Sequence, residues 1–288
     1  MSMQEYFNAP HDNNLYLLLR AAYVQSMGKS ALYINDLISK KRPIENDSLL
    51  KSGSGLFNDS SMQNIANQLK NTSGYATYKK PSLSCECREL SEYLDTLPVP
   101  ENSNRIIMTN WEILRQFKIV DIIRTDKSIK RIVDRYLKCD SILNSIVAWK
   151  TIQSGNGRLN MSRDAMHFHF DCDHNRFMKV FVYLDAVDNT CGPHIFVPNS
   201  SAINRCGLPK PLHRDGRYNS LEIINSGLCP QYISGEMGTI IFADTHNLHR
   251  GSPLRPGRSR YVLSIQYVDS VAGATPTHNP ADILEMNI

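Results

Sequence analysis

Residues 169–185 read HFDCDHNRFMKVFVYLD, and this stretch contains the two features that decide the fold. Its second half, Met178–Leu184, is rich in Val, Phe and Tyr, the residue types that favour β-strands. Its first half opens with His169 and Asp171, which are two positions apart and so lie on the same face of an extended chain. A histidine and a carboxylate on one face of a strand indicate a metal site.

The second half of the chain predicts several further strands, separated by turn residues. Helical spacing of apolar residues predicts helices over residues 12–40 and 126–138. Residues 44–88 are rich in Ser, Asn, Lys and Gly and predict loop with short helices. The expected fold is therefore mainly β with flanking helices (α+β), built on an antiparallel barrel or jelly roll. The further strands are predicted at Ser145–Gln153, His194–Val197, Gly238–Phe242 and Arg260–Val268.

Composition excludes several classes of function. The 288 residues include 41% hydrophobic and 21% charged residues, and the net charge of +4 is too small to indicate a nucleic-acid partner. No run reaches the ~18 apolar residues of a membrane span, and Met1–His11 lacks the pattern of a secretory signal. The seven cysteines are odd in number and form no CxxC pair, which favours reduced thiols. We expect a cytoplasmic protein with no membrane or nucleic-acid partner, and the oligomeric state stays open.

A second histidine and an arginine complete the candidate site from a distant part of the chain. His249 follows the predicted strand at Gly238–Phe242, and Arg260 begins the next strand. A Pro-Gly pair at 256–257 favours a turn that brings the two together. Two histidines and one carboxylate leave open positions on a ferrous ion, and an arginine on a core strand needs an anionic partner. His246 is the alternative to His249, while His167 and Asp173 could orient the ligands or face a substrate.

The order of these motifs resembles the phytanoyl-CoA dioxygenase family over roughly residues 110–270. The resemblance rests on the HxD at His169, the strand ending at Asp185, Gly192-Pro193, Val197–Ser200, and His249-Arg250-Gly251 followed by Arg260. It implies a double-stranded β-helix core that uses iron(II), 2-oxoglutarate and O2. It also implies that His169, Asp171 and His249 bind the metal and that Arg260 binds 2-oxoglutarate. Cys191 and Asn199 depart from the family pattern at two turns.

The resemblance also implies a domain organisation and an activity. Residues 1–109 would be a helical and loop region that packs on the core and could form a lid, 110–275 the oxygenase core, and 276–288 a tail. The expected reaction is hydroxylation of a small-molecule substrate with release of succinate and CO2, because related halogenases lack the carboxylate that Asp171 supplies. Arg250, Arg255 and Arg258 hint at an acidic substrate, although solubilising charges on a turn are an equal alternative.

Three alternatives stay open. The text around His167 is similar to the HxHxDH motif of zinc-dependent hydrolases, but Asp171 and His174 are not adjacent. The nucleic-acid demethylases that use 2-oxoglutarate carry a second arginine where this chain has Tyr261. A non-catalytic 2-oxoglutarate- or metal-binding module on the same fold would be expected to lack one ligand, whereas all three candidates are present.

Overall fold

The structure is a computed structural model that describes residues 55–72, 74–100, 103–153, 167–171, 174, 176–200, 217–269, 282 and 285–287. The helix predicted over residues 12–40 lies outside the described residues, as do Cys172 and Asp173. The extents predicted for residues 1–109, 110–275 and 276–288 as separate units therefore stay predictions.

The helices lie mainly in the first half of the described chain. The helix expected over residues 126–138 is confirmed, and it begins after Asp126, whose side chain caps it. The expectation of mostly loop over 44–88 is wrong, since this stretch contains a full helix and a strand. The helices are α1 (Asp59–Asn71), α2 (Ser84–Thr96), α3 (Trp111–Leu114), α4 (Lys118–Thr125), α5 (Lys127–Leu137) and α6 (Ser220–Asn225), with a 3₁₀ turn at Pro81–Leu83.

The strands form two antiparallel sheets. The larger sheet has the order β1-β7-β4-β9-β3-β2, and the smaller has the order β6-β5-β8. The predicted strands are all found, within one to three residues of the expected ends. Four strands were not predicted: β1 and β2 form the edges of the larger sheet, and β6 and β8 form the edges of the smaller one. The strands are β1 (Tyr75–Lys79), β2 (Arg105–Met108), β3 (Ile142–Ile152), β4 (Phe177–Tyr183), β5 (His194–Phe196), β6 (Gln231–Ile233), β7 (Thr239–Ala243), β8 (His249–Gly251) and β9 (Ser259–Val268).

The larger sheet separates a helical layer from the interior between the two sheets. Its outer face packs against the helices through a continuous apolar cluster that includes Leu90, Ile129 and Leu263. Its inner face contributes Phe181 and Val262 to a second cluster shared with the smaller sheet. This arrangement confirms the predicted class, mainly β with flanking helices around a jelly-roll core.

Strand β9 shows how the sequence specifies these two faces. Successive side chains of a strand point to opposite sides. Tyr261, Leu263, Ile265 and Tyr267 join the outer apolar cluster. The alternate residues, Arg260, Val262, Ser264 and Gln266, line the interior cavity. The sequence predicts this strand at Arg260–Val268, and strict alternation along it gives the same two sets.

Two further expectations concern the membrane and the thiols. Within the described residues, no helix is both long and apolar enough to cross a membrane. The cysteines of these ranges have free thiols, as predicted: Cys85, Cys87, Cys139, Cys191 and Cys229.

Asp126 connects the start of the described chain to α5. One carboxylate oxygen accepts from the amide of Ile129 at 2.9 Å and the other accepts from the amide of Leu56 at 2.6 Å. We expect Asp126→Ala to lower the free energy of unfolding by about 1–2 kcal/mol, because it removes a helix cap and a long-range tether. Urea unfolding measures this change. Asp121→Ala is the control, because it removes only an exposed ion pair with Arg124 within α4. It should lower the free energy of unfolding by less than ~1 kcal/mol. Equal losses in the two variants would contradict the role assigned to Asp126.

Candidate metal centre

A backbone pairing brings the two distant histidines together. The amide of His169 donates to the carbonyl of His249, and the amide of His249 donates to the carbonyl of His169, both at 3.1 Å. This antiparallel bridge extends the smaller sheet beyond β8. The imidazole centroids are 4.4 Å apart. The amide of Asp171 donates to the carbonyl of Thr245 at 3.0 Å and holds the carboxylate beside the same pair.

The three side chains present their ligand atoms to one point. Asp171 Oδ1 lies 3.6 Å from His169 Nε2, and Asp171 Oδ2 lies 3.3 Å from His249 Nε2. All three ligand atoms lie within 4.8 Å of one another. Ligands bound about 2.1 Å from a shared ion are separated by roughly 3 Å, so these side chains could hold one divalent metal with little movement.

The second ring nitrogen of each histidine fixes its tautomer. His169 Nδ1 lies 2.9 Å from the carbonyl of His167, and His249 Nδ1 lies 3.0 Å from the carbonyl of Asn247. A carbonyl oxygen only accepts, so each Nδ1 carries the proton. Each Nε2 therefore faces Asp171 and is the ring nitrogen placed to bind a metal.

The electrostatics favour the same protonation states. Burial holds the pKa of His169 well below its ordinary value, and the neighbouring His249 lowers it further. Burial alone would raise the pKa of Asp171, but the ammonium group of Lys179 and the adjacent histidines lower it well below its usual range. Burial thus favours a neutral imidazole at His169, and Asp171 is a carboxylate; both are donors that a first-row transition metal requires.

Arg260 lines the same cavity. It is the second residue of β9, and its guanidinium lies next to Gly251 of β8. The residue is only 8% exposed. Its Nη1 is buried, with no hydrogen-bond partner among the described residues. Burial lowers the pKa of Arg260, an effect that Tyr183 and Cys191 oppose. A buried guanidinium of this kind requires an anion, so the residue is built to receive a carboxylate or a similar group.

Gly251 makes the position of Arg260 possible. An added Cβ at Gly251 would lie 2.7 Å from Arg260 Nη2 and 3.4 Å from Nη1. Any side chain at this position would therefore push the guanidinium away. The glycine of the His-Arg-Gly triplet is explained by this close approach rather than by a turn.

The cavity between the two sheets has a volume of about 260 Å³ and contains the candidate ligands and Arg260. Several of its polar residues were not identified from the sequence, and two of these lie beside the candidate ligands. Lys179 extends from β4 and donates to Asp171 Oδ2 at 2.8 Å. His194, on β5, stacks on His249 with centroids 5.6 Å apart, and its buried Nε2 has no partner within the described part of the chain. Alternation along β4 could have placed Lys179 beside Phe181, which also lines the cavity.

His246, the alternative distal ligand, has a different environment. Its Nδ1 lies 2.7 Å from Asp244 Oδ1, and its Nε2 lies 3.0 Å from the carbonyl of His174. Asp244 also accepts from the Tyr136 hydroxyl at 2.7 Å. With both ring nitrogens directed at oxygen atoms, His246 is a structural cation that connects the turn after β7 to the segment after Asp171.

The three arginines that hinted at an acidic substrate do not act together. The guanidinium of Arg250 lies over the ring of Phe168, 4.6 Å from its centroid. Arg258 donates to Thr190 and is paired with Asp188 on the surface. Arg255 is exposed. Arg250 alone of the three contributes to the cavity wall.

Comparison with solved structures shows the fold to be a known one. A structure of the epimerase SnoN from nogalamycin biosynthesis, in complex with Fe3+, alpha ketoglutarate and nogalamycin RO, aligns with a TM-score of 0.54 at 15% identity and covers 78% of this chain and 90% of SnoN. AviO1 from Streptomyces viridochromogenes Tue57 aligns with a TM-score of 0.51 at 12% identity, over 76% of this chain and 99% of AviO1. At these identities the similarity shows the fold alone.

No protein-family model and no curated protein sequence matches the chain. The resemblance to the phytanoyl-CoA dioxygenase family therefore stays a prediction.

The His246–Asp244 pair gives a pH prediction. The pKa of His246 is raised above 6.5, because Asp244 and the two hydrogen bonds outweigh the opposing effect of burial. Its contribution to stability is present below pH 6.5 and is lost as the pH rises through the raised value. The pKa of Asp244 is lowered from 3.8, because His246 and Tyr136 outweigh burial. Its contribution is present above pH 3.8 and is lost as the pH falls through the lowered value.

We therefore expect His246→Gln to destabilise the protein more at pH 5.5 than at pH 9. Urea unfolding of both proteins at the two pH values measures the difference. A destabilisation that is equal at both values would show that the imidazole is not held as a cation.

Proposed function

We propose that this protein is an iron(II)- and 2-oxoglutarate-dependent dioxygenase that hydroxylates a small-molecule substrate, with release of succinate and CO2. One observation carries the proposal: a His-Asp-His set and a buried arginine line one cavity. Three ligands leave coordination positions open, and the arginine supplies a fixed site for the far end of a dicarboxylate. The SnoN structure, on the same fold, holds Fe3+ and alpha ketoglutarate by its description.

The residues of this chain have separate tasks in such a reaction. His169, Asp171 and His249 would hold the metal. When bound, iron supplies the oxidation, coupled to decarboxylation of 2-oxoglutarate in the presence of O2. Arg260 would pair with the 5-carboxylate of 2-oxoglutarate and orient it along the cavity. Phe181 and Val262, whose side chains are apolar and line the cavity, would exclude water from its centre.

Hydroxylation is the reaction that we propose among the oxidations open to this fold. SnoN is described as an epimerase, so the fold alone does not select the outcome. Asp171 supplies the third ligand and leaves no vacant site for a halide in its place. A small-molecule substrate accords with the cavity volume of about 260 Å³. We further propose a cytoplasmic location, in which the free thiols would stay reduced.

The ligand assignment is tested by Asp171→Ala and His249→Ala. Each removes one of three metal ligands, and we expect loss of metal affinity on the order of 100-fold with loss of 2-oxoglutarate turnover. Calorimetric titration with iron(II) under anaerobic conditions measures the first effect, and succinate release measures the second. Glu89→Ala, on the exposed surface of α2, is the control and should change neither. Wild-type metal affinity in either ligand variant would disprove the assignment.

Gly251→Ala tests the role of Arg260 without removing its charge. The added methyl group would displace the guanidinium, so we expect 2-oxoglutarate to bind at least tenfold more weakly while metal affinity stays unchanged. Arg260→Ala should show the same separation with a larger loss, since the cation is gone. Titration of the metal-loaded protein with 2-oxoglutarate provides the measurement. If 2-oxoglutarate binds Arg260→Ala as tightly as the wild type, another cation binds the 5-carboxylate.

A further inference from the structure

We infer that the end of the cavity opposite Arg260 is a substrate subsite that binds an uncharged hydrogen-bonding group, a hydroxyl or an amide. The subsite is formed by Ser145, Gln266 and Lys179, which we call the polar row. The inference rests on the proposed function, because it assigns the open part of the same cavity to the substrate. It adds the chemical class of the group that is recognised and the residues that recognise it.

The polar row is fixed by strand register. Ser145 on β3 is the direct partner of Gln266 on β9, and Gln266 is the direct partner of Lys179 on β4. Three neighbouring strands span about 10 Å. All three side chains line the cavity. A single line of polar groups therefore crosses the inner face of the larger sheet.

Two residues of the polar row are almost completely buried. Ser145 is 7% exposed and Gln266 is 3% exposed. Neither side chain forms a hydrogen bond with another described residue, although both reach the cavity. Both side chains line the cavity, so a ligand bound there can reach the hydroxyl and the carboxamide. The two groups are therefore suited to form hydrogen bonds with such a ligand.

The row lies next to the candidate metal ligands. Lys179 Nζ is 2.8 Å from Asp171 Oδ2, so a molecule held on the row lies within reach of a metal bound by Asp171. Arg260 and Gln266 are six residues apart on one strand, roughly 20 Å along the backbone. Arg260, assigned to the cosubstrate, and the polar row therefore lie toward opposite ends of the cavity-lining face of β9.

The chemistry of the row favours an uncharged group. A hydroxyl or an amide can both donate and accept, which matches the Gln266 carboxamide and the Ser145 hydroxyl. The charge of Lys179 is already paired with Asp171. A carboxylate at this position would face the oxygen atoms of Asp171, its like charge, at short range. The arginine suited to a second carboxylate, Arg260, lies at the other end of the cavity.

The test compares two sugars that differ in a single group. D-glucose and D-glucuronate share a ring, but the hydroxymethyl group of glucose is a carboxylate in glucuronate. Each is titrated into zinc-loaded protein saturated with 2-oxoglutarate, and binding is followed by saturation-transfer NMR. We expect glucose to bind at least fivefold more tightly than glucuronate. Equal or tighter binding of glucuronate, or no binding of glucose, would overturn the inference.

Two variants locate the binding. Gln266→Met keeps the side-chain volume but removes the carboxamide, and Ser145→Ala removes the hydroxyl. Each should weaken glucose binding at least fivefold while the affinities for zinc and 2-oxoglutarate stay within twofold of the wild type. Gln63→Met, on the exposed surface of α1, is the matched control. Unchanged glucose binding in both row variants would place the sugar elsewhere and disprove the subsite.

Failure of the proposed function and failure of the subsite give different results. Calorimetric titration with zinc and then 2-oxoglutarate precedes every sugar titration. If either ligand fails to bind the wild type, the proposed function fails. If both bind but glucose does not bind more tightly than glucuronate, the proposed function stands and only the polar row loses its assigned role.

Discussion

The site depends on one pair of backbone hydrogen bonds, those between His169 and His249. The two histidines are eighty residues apart in sequence, and no side-chain contact alone could place them with ångström accuracy. The bridge sets the rings opposite each other, and carbonyl groups two residues before each histidine orient the rings. The same strands that close the jelly roll thereby arrange the metal ligands, so the site forms only when the sheet does.

Charged side chains line the interior cavity between the two sheets. Asp171, Lys179 and Arg260 all lie in a protein interior where isolated ions are unfavourable. Asp171 and Lys179 compensate each other directly, whereas Arg260 Nη1 has no hydrogen-bond partner among the described residues. The same cavity is thus lined by a charge that is paired and by one whose Nη1 is left without a partner in the described part of the chain.

Sequence reasoning succeeded where a pattern is local. The alternation of β9, the strand at Phe177–Tyr183 and the helix at Lys127–Leu137 all follow from neighbouring residues. It was less successful where the environment comes from distant strands. The roles of Lys179 and His194 depend on which segments lie opposite them. Those neighbours are set by the pairing register of β4 and β5 with other strands. Helix α1 was missed because its buried stripe is only Met62, Ile65 and Leu69 within a polar stretch.

The ion pair between Lys179 and Asp171 has a consequence for the order in which the protein matures. In small zinc domains, uncompensated ligands keep the chain unfolded until metal arrives. Here an ammonium group from β4 already neutralises the carboxylate of Asp171. The chain carries its own substitute for part of the charge of the ion. Folding can therefore be completed first, and loading becomes a later step that depends on metal supply rather than on synthesis.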